Sequence, residues 1–227
     1  MSNLPTNHNE NRSLSHQFSD ELLTPGIDLG MDYSEIFIDD LIDNPALKEI
    51  PLVKSVVGVI KGGIAVNQFF FAKKLLTFIQ TFNSGQLDPE KKRKFQDRIN
   101  TDDKYRKRVC EQVMIFVDRF IEINKAKISA NVFKAYVEEK IAYEQLISLN
   151  IGLENLHPDS YLFIEKLSHQ DYRVDENNPP ADRDHDGEAL LATSGLGARH
   201  SVWSAGFRVT PDGQMLCEFG IKPVIHP

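Results

Sequence analysis

Cysteine is scarce in this chain: 227 residues carry two, Cys110 and Cys217. Neither has a CxxC neighbour, which excludes a disulfide framework and fits a reducing, cytoplasmic setting. The opening residues, MSNLPTNHNENRSLSHQ, lack an apolar h-region and do not read as a signal peptide. Nucleophile motifs are missing as well. Ser194-Gly195 has no GxSxG context, and Cys110 falls inside an expected helix. GVIKGG lacks the GKS or GKT element of a phosphate loop. His157, His169, His185 and His200 show neither HxxxH nor HxH spacing. No catalytic, cofactor-binding or metal-binding residue is therefore assigned, and an enzyme is not expected.

A second absence is local. Between Glu49 and Asp88 there is no acidic residue, although the chain as a whole has a formal net charge of −7. That overall sign disfavours a whole-protein nucleic-acid binder. Residues 1–50 hold ten acids against two bases, 51–153 eleven against eighteen, and 154–188 ten against three. A basic middle thus lies between two acidic flanks. It implies either internal pairing between the parts or an anionic partner for the middle.

The acid-free stretch contains the most apolar part of the chain, Ile50 to Phe82. Val53, Val56, Val57, Ile60 and Ile64 recur at helical spacing, and Gly62-Gly63 interrupts them. Phe71, Leu75, Phe78, Ile79 and Phe82 form a second face, closed by Asn83-Ser84-Gly85. Lys54, Lys61, Lys73 and Lys74 are the candidate contacts to an anionic surface. Val53, Val57, Ile60, Phe71 and Leu75 are the candidate apolar contact face. A bilayer surface would suit such a segment, and Gly58 and Gly62 form a GxxxG pair. A true span is disfavoured, because the best window, Ser55 to Ala72, carries Lys61, Asn67, Gln68 and three glycines. The same pattern equally describes two amphipathic helices packed in a core.

Around this stretch the expected elements are mostly helical. Residues 1–30 read as a flexible acidic tail. A helix is expected from Tyr33 to Asp43, stopped by Asn44-Pro45. Asp88-Pro89 predicts an N-cap and first helical position for residues 88–99. Further helices are expected over 102–124, 126–138 and 141–154, then a short one from Pro158 through Leu167. Residues 170–188 read as an acidic loop. Phe207-Arg208-Val209 alternates like a strand, and Thr210-Pro211 predicts a terminal helix through Phe219. The expected architecture is mainly α. A helical bundle over 31–155 is followed by a small winged-helix-like α+β unit over 156–227.

Asp182, Asp184, Asp186 and Gly187 match four positions of a calcium loop. Position twelve is Thr193, where a bidentate Glu is needed, and Pro179-Pro180 leaves no entering helix. The basic run Lys91 to Lys94, with Arg98, Lys104, Arg106, Lys107 and Arg108, is suited to phosphate contacts. Acids interleave with it, so a solvated face with internal ion pairs is the simpler expectation.

The segment in which a helix ends at Ser194-Gly195-Leu196 and FRVTPDGQML follows resembles the second half of a winged-helix domain. Ile50, Pro51, Lys73, Lys74, Leu75, Leu76, Phe78, Ile79 and Lys91 to Phe95 resemble an uncharacterised bacterial family related to the abortive-infection alpha group. That resemblance implies a bacterial origin and phage defence, without an activity or catalytic residues. The expected role is a non-enzymatic interaction or regulatory protein, with a protein partner or a second copy. A membrane-associated effector using residues 52–82 and a nucleic-acid-linked winged-helix regulator are the alternatives, nucleic acid being the less expected partner.

Overall fold

Phenylalanines at helical spacing set the centre of the molecule. The computed structural model describes residues 13–24, 31–37, 39–40, 44–57, 66–169, 184–199 and 206–226. Helix α4 (Val66–Ser84) buries Phe69, Leu75, Leu76, Phe78, Ile79 and Phe82. It lies along α7 (Ile123–Val137), which buries Ile128, Val132 and Phe133. The Phe133 ring sits 5.7 Å from Phe78, 5.5 Å from Phe82 and 5.7 Å from Phe95. Offset and tilted aromatic pairs of this kind add about 0.5–1.5 kcal/mol each beyond area burial.

α1 (Leu14–Leu23), α2 (Pro45–Glu49) and α3 (Pro51–Val57) precede α4, and α6 (Asp103–Arg119) follows it. Three of these helices, α1, α3 and α6, pack against α4, and α2 leads into α3. α1 packs against α3, α4 and α6. The expected tail therefore contains a helix. Phe18 and Leu22 lie in the core, with Phe18 5.9 Å from Phe78. The remaining residues of that expected tail, 1–12 and 25–30, lie outside the described residues.

The helix expected from Tyr33 does not begin there, and residues 33–37 are turn and irregular. The Asp32 carboxylate explains this locally. It accepts from the Ser34 hydroxyl at 2.6 Å and the Ser34 N–H at 2.8 Å, an Asx-type turn that competes with helix. Residues 39 and 40 are helical, and 41–43 lie outside the described residues.

Caps are placed as the sequence requires. Asp88 accepts from the N–H groups of Glu90 and Lys91 at 2.8 and 3.1 Å, opening α5 (Pro89–Thr101). Asp102 accepts from the Tyr105 N–H at 2.9 Å and opens α6. After α7 come α8 (Tyr143–Asn155), α9 (Ser160–His169) and α10 (His185–Thr193). Gly195, at φ +77°, takes the left-handed conformation that ends α10.

Two short strands follow, β1 (Gly197–Arg199) and β2 (Phe207–Val209). They are antiparallel, with Gly197 opposite Val209 and Arg199 opposite Phe207. Thr210 caps α11 (Pro211–Leu216), accepting from the Gly213 N–H at 3.1 Å. Instead of running on as one α-helix, the chain widens into a π turn over Cys217–Ile221 and closes with α12 (Lys222–Ile225). The close approach of Gly220 to Ile128 and Val132 is what a side chain there would obstruct. The carboxy-terminal elements rest on α7 and α8, and one apolar core runs from Phe18 to Ile221. The fold is mainly helical, with one small two-stranded sheet among the described residues.

Candidate functional site

The cap at Asp102 decides where the cations of the basic run go. It turns the chain sharply between α5 and α6, so Arg98 of α5 and Arg108 of α6 meet around the same ring. The Arg98 guanidinium lies 3.9 Å from the Tyr105 ring centroid. Arg108 lies 5.9 Å from the same ring and 4.7 Å from that of Tyr143. Stacking holds a guanidinium by cation–π attraction and leaves its N–H edge turned outward.

Beneath them Tyr105 is buried, and its hydroxyl shares a 2.8 Å hydrogen bond with that of Tyr136 on α7. Burial, and then that bond, raise the Tyr105 phenol well above its ordinary value. The ring stays neutral at any physiological pH.

The far wall is the turn between α7 and α8. Lys91, Lys94, Phe95 and Arg98 face Tyr136, Glu139 and Lys140 across a cleft of about 410 Å³. A second hollow of about 250 Å³ shares Arg98 and Tyr105 with it and adds Asp102, Lys104 and Arg108. Six cations thus line the two hollows against two carboxylates, Glu139 and Asp102. Asp102 is already engaged as the helix cap.

Some of these cations are neutralised locally, as the interleaved acids suggested. Lys91 pairs with Glu139, Lys94 with Glu90 at 3.1 Å, and Lys140 with Glu138 at 2.6 Å. Arg93 pairs with Asp97 at 3.4 Å along the outer face of α5. Arg98, Lys104 and Arg108 make no ion pair among the described residues. This concave surface presents lysines and two stacked guanidiniums that make no ion pair among the described residues, N–H donors of the kind that phosphate or carboxylate oxygens accept from.

Arg106 belongs to the same run but not to the cleft. Its side chain is buried, donating to the Ile99 carbonyl at 3.2 Å and pairing with Asp103, and so locks α5 to α6.

The residues singled out in the acid-free stretch are placed elsewhere, and most serve the fold. Lys74 is buried. Its ammonium donates to the carbonyls of Asp118 at 2.6 Å and Phe120 at 2.7 Å, closing the carboxy-terminal end of α6. Burial lowers its pKa from the ordinary lysine value. Lys74 therefore does not present a charge to an outside surface. Lys73 is half-buried; burial lowers its pKa, offset by the nearby carboxylates of Asp32 and Asp40. Lys54 is exposed, and its ammonium donates to Glu49 at 2.7 Å.

Val53 and Leu75 lie in the core and Phe71 packs against it, so these three members of the apolar face are turned inward. Ile60, Lys61 and the side chain of Val57 lie outside the described residues. Among the described residues, no helix is long and apolar enough to cross a membrane.

The calcium-loop pattern resolves into a helix start. Asp184 accepts from the Gly187 N–H at 2.7 Å as the N-cap of α10, which places Asp186 and Gly187 inside the helix. Asp182 lies outside the described residues. Among the described residues there is no group of three or more His, Cys, Asp or Glu able to hold a metal. Cys110 is buried, and burial pushes its thiol up to about 12, far from a reactive thiolate.

The basic run is legible in the sequence, whereas the residues that make it a cleft, Tyr105, Tyr136, Tyr143, Glu139 and Lys140, are not. A tyrosine three residues before Arg108 on one helix was the only local signal. No protein-family model, curated protein or solved structure matches the chain.

Proposed function

We propose that this chain is a non-enzymatic interaction or regulatory protein that recognises a small ligand bearing two or more phosphates in the basic cleft between α5, α6 and the α7–α8 turn. Phage defence in a bacterial cell is the setting that its resemblance to the abortive-infection alpha group implies. The observation that carries the reading is the pair of stacked arginines, Arg98 and Arg108, without ion pairs among the described residues. A cleft of about 410 Å³ is the size that small ligands occupy. Its two hollows, joined at Arg98, favour separated phosphates over one.

Calorimetric titration of inorganic tripolyphosphate into the protein at low salt tests this. Hydrogen bonds to charged groups contribute about 1.5–3 kcal/mol each. The double variant Arg98→Ala/Arg108→Ala is therefore expected to bind roughly 100-fold more weakly or worse. Orthophosphate is expected to bind far more weakly than tripolyphosphate, and salt to weaken both. Absence of tripolyphosphate binding at low salt, or binding indifferent to both arginines, would sink the reading. A single-stranded oligonucleotide that binds with the same arginine dependence and outcompetes tripolyphosphate would reassign the cleft to nucleic acid.

The carboxy-terminal part we read as a winged-helix-like unit. What supports this is the order of α10 ending at Ser194-Gly195, the β1–β2 hairpin, and the Thr210-capped α11. Such a unit would serve as an interaction module, consistent with few basic residues on it.

A further inference from the structure

Glu139 is the one described non-glycine residue with a positive φ, at 59°. It sits where α7 ends. The Glu139 N–H donates to the Tyr136 carbonyl at 3.0 Å, and the Lys140 N–H to the Ala135 carbonyl at 2.9 Å. These two bonds form a Schellman turn, whose left-handed position is normally glycine because a Cβ there is strained. A glutamate at that position needs a reason beyond ending the helix.

The reason is on the opposite wall. The left-handed turn sends the Glu139 side chain across the cleft to Lys91 on α5, 48 residues earlier, and the two pair. Both line the hollow that holds Arg98 and Lys94. The neighbouring Glu138 does not reach in; it pairs with Lys140 at 2.6 Å. Glu139 is thus the one carboxylate in the larger hollow, at a strained backbone position, on a cation that a phosphate would need.

We infer that Glu139 is a built-in competitor for the anionic ligand: its carboxylate occupies Lys91 in the empty cleft, and a phosphate of the ligand displaces it. This rests on the reading of the cleft as a phosphate site and adds to it a threshold. Weak monovalent anions lose to the tethered carboxylate, whose effective concentration is high. A polyphosphate that engages Arg98 and Arg108 as well as Lys91 wins. The device sets a threshold: every anion must displace the carboxylate, and only one that also engages the arginines has affinity left over.

The test titrates tripolyphosphate and orthophosphate into the full chain and its Glu139→Gln, Glu139→Gly, Lys91→Met, Glu139→Gln/Lys91→Met and Glu144→Gln forms. Removing a facing carboxylate is expected to tighten tripolyphosphate binding roughly tenfold in Glu139→Gln and Glu139→Gly. Glu144→Gln makes the same charge change at a residue that lines neither hollow and does not pair with Lys91, and is expected to stay within about twofold of the parent. The tightening is expected to vanish when compared in the Lys91→Met background, because the carboxylate acts through that lysine.

Unchanged or weaker binding in Glu139→Gln, while Arg98→Ala/Arg108→Ala still weakens it, overturns the competitor and leaves the phosphate cleft standing. Equal tightening in Glu144→Gln also overturns it, since the effect is then net charge alone. If neither parent nor variants bind tripolyphosphate at low salt, the competitor and the cleft reading fall together.

Discussion

Replacing Lys74 by methionine separates the two roles that a lysine in the acid-free stretch can have. Met keeps most of the aliphatic stem and removes the ammonium. Lys74 is 7% exposed, and its ammonium donates to the carbonyls of Asp118 at 2.6 Å and Phe120 at 2.7 Å. Those carbonyls belong to the last turn and C-cap of α6, where no intrahelical N–H is available to them. Leaving a buried acceptor unsatisfied costs about 1–3 kcal/mol. Two acceptors set the upper range near 6 kcal/mol, and relief of the buried cation's desolvation offsets part of it. We expect a net loss of about 2–4 kcal/mol, a large share of the total stability of about 5–15 kcal/mol of a typical domain. For a chain of this size that is a drop in Tm on the order of 10 °C.

Urea denaturation followed by circular dichroism at 222 nm reads it, with the m-value expected to stay constant. Lys54→Met is the matched control. That lysine is exposed and pairs with Glu49 on the surface, so the change is expected to be within about 0.5 kcal/mol. If Lys74→Met is as stable as the Lys54 control, the ammonium is not satisfying the α6 carbonyls. If its stability holds and binding to anionic vesicles disappears, the lysine faces a membrane instead.

Other outcomes follow from the same contacts. Glu139→Gly removes a left-handed strain and is expected to raise stability by about 1 kcal/mol, whereas Glu139→Gln keeps the strain and is not; thermal melts distinguish them. Of the six tyrosines, Tyr105 and Tyr161 are expected to stay protonated in the folded protein when absorbance at 295 nm is followed above pH 10. Burial raises both, with hydrogen bonding to Tyr136 adding for Tyr105 and the Glu122 carboxylate adding for Tyr161. Their folded pKa values exceed the unfolded ones, so this stability is fully present below pH 10 and falls as pH rises beyond it. The slope approaches about 1.4 kcal/mol per pH unit for each group, and an alkaline unfolding transition releases both phenols together. A gradual, fully reversible titration of all six near pH 10 would contradict the burial of these two rings.

The local instructions in this chain were legible from sequence. Asp88-Pro89 and Thr210-Pro211 cap their helices because a short acceptor side chain and a fixed φ act within four residues. The apolar period of residues 66–84 buried Leu75, Phe78, Ile79 and Phe82 for the same local reason. α1 lies in a polar, acidic context, and its spaced Leu14, Phe18 and Leu22 are too few to mark a helix by themselves. Only the packing of Phe18 and Leu22 against α3, α4 and α6 makes it a helix worth its entropy.

The cleft was not legible, because its parts lie 48 residues apart and no glycine marks the turn at Glu139 that joins them. Tertiary placement shows what several cations of the basic middle reach. Lys74 closes α6, Lys127 lies 4.0 Å from Asp32, and Arg119 pairs with Glu154 at 2.8 Å. The order of charges along the chain determined that a basic middle lies between acidic flanks. Only the fold decided which cations those carboxylates reach, because pairing depends on distances of a few ångströms between residues far apart in the chain. Arg98 and Arg108, stacked on tyrosines, keep their charge turned toward the cleft.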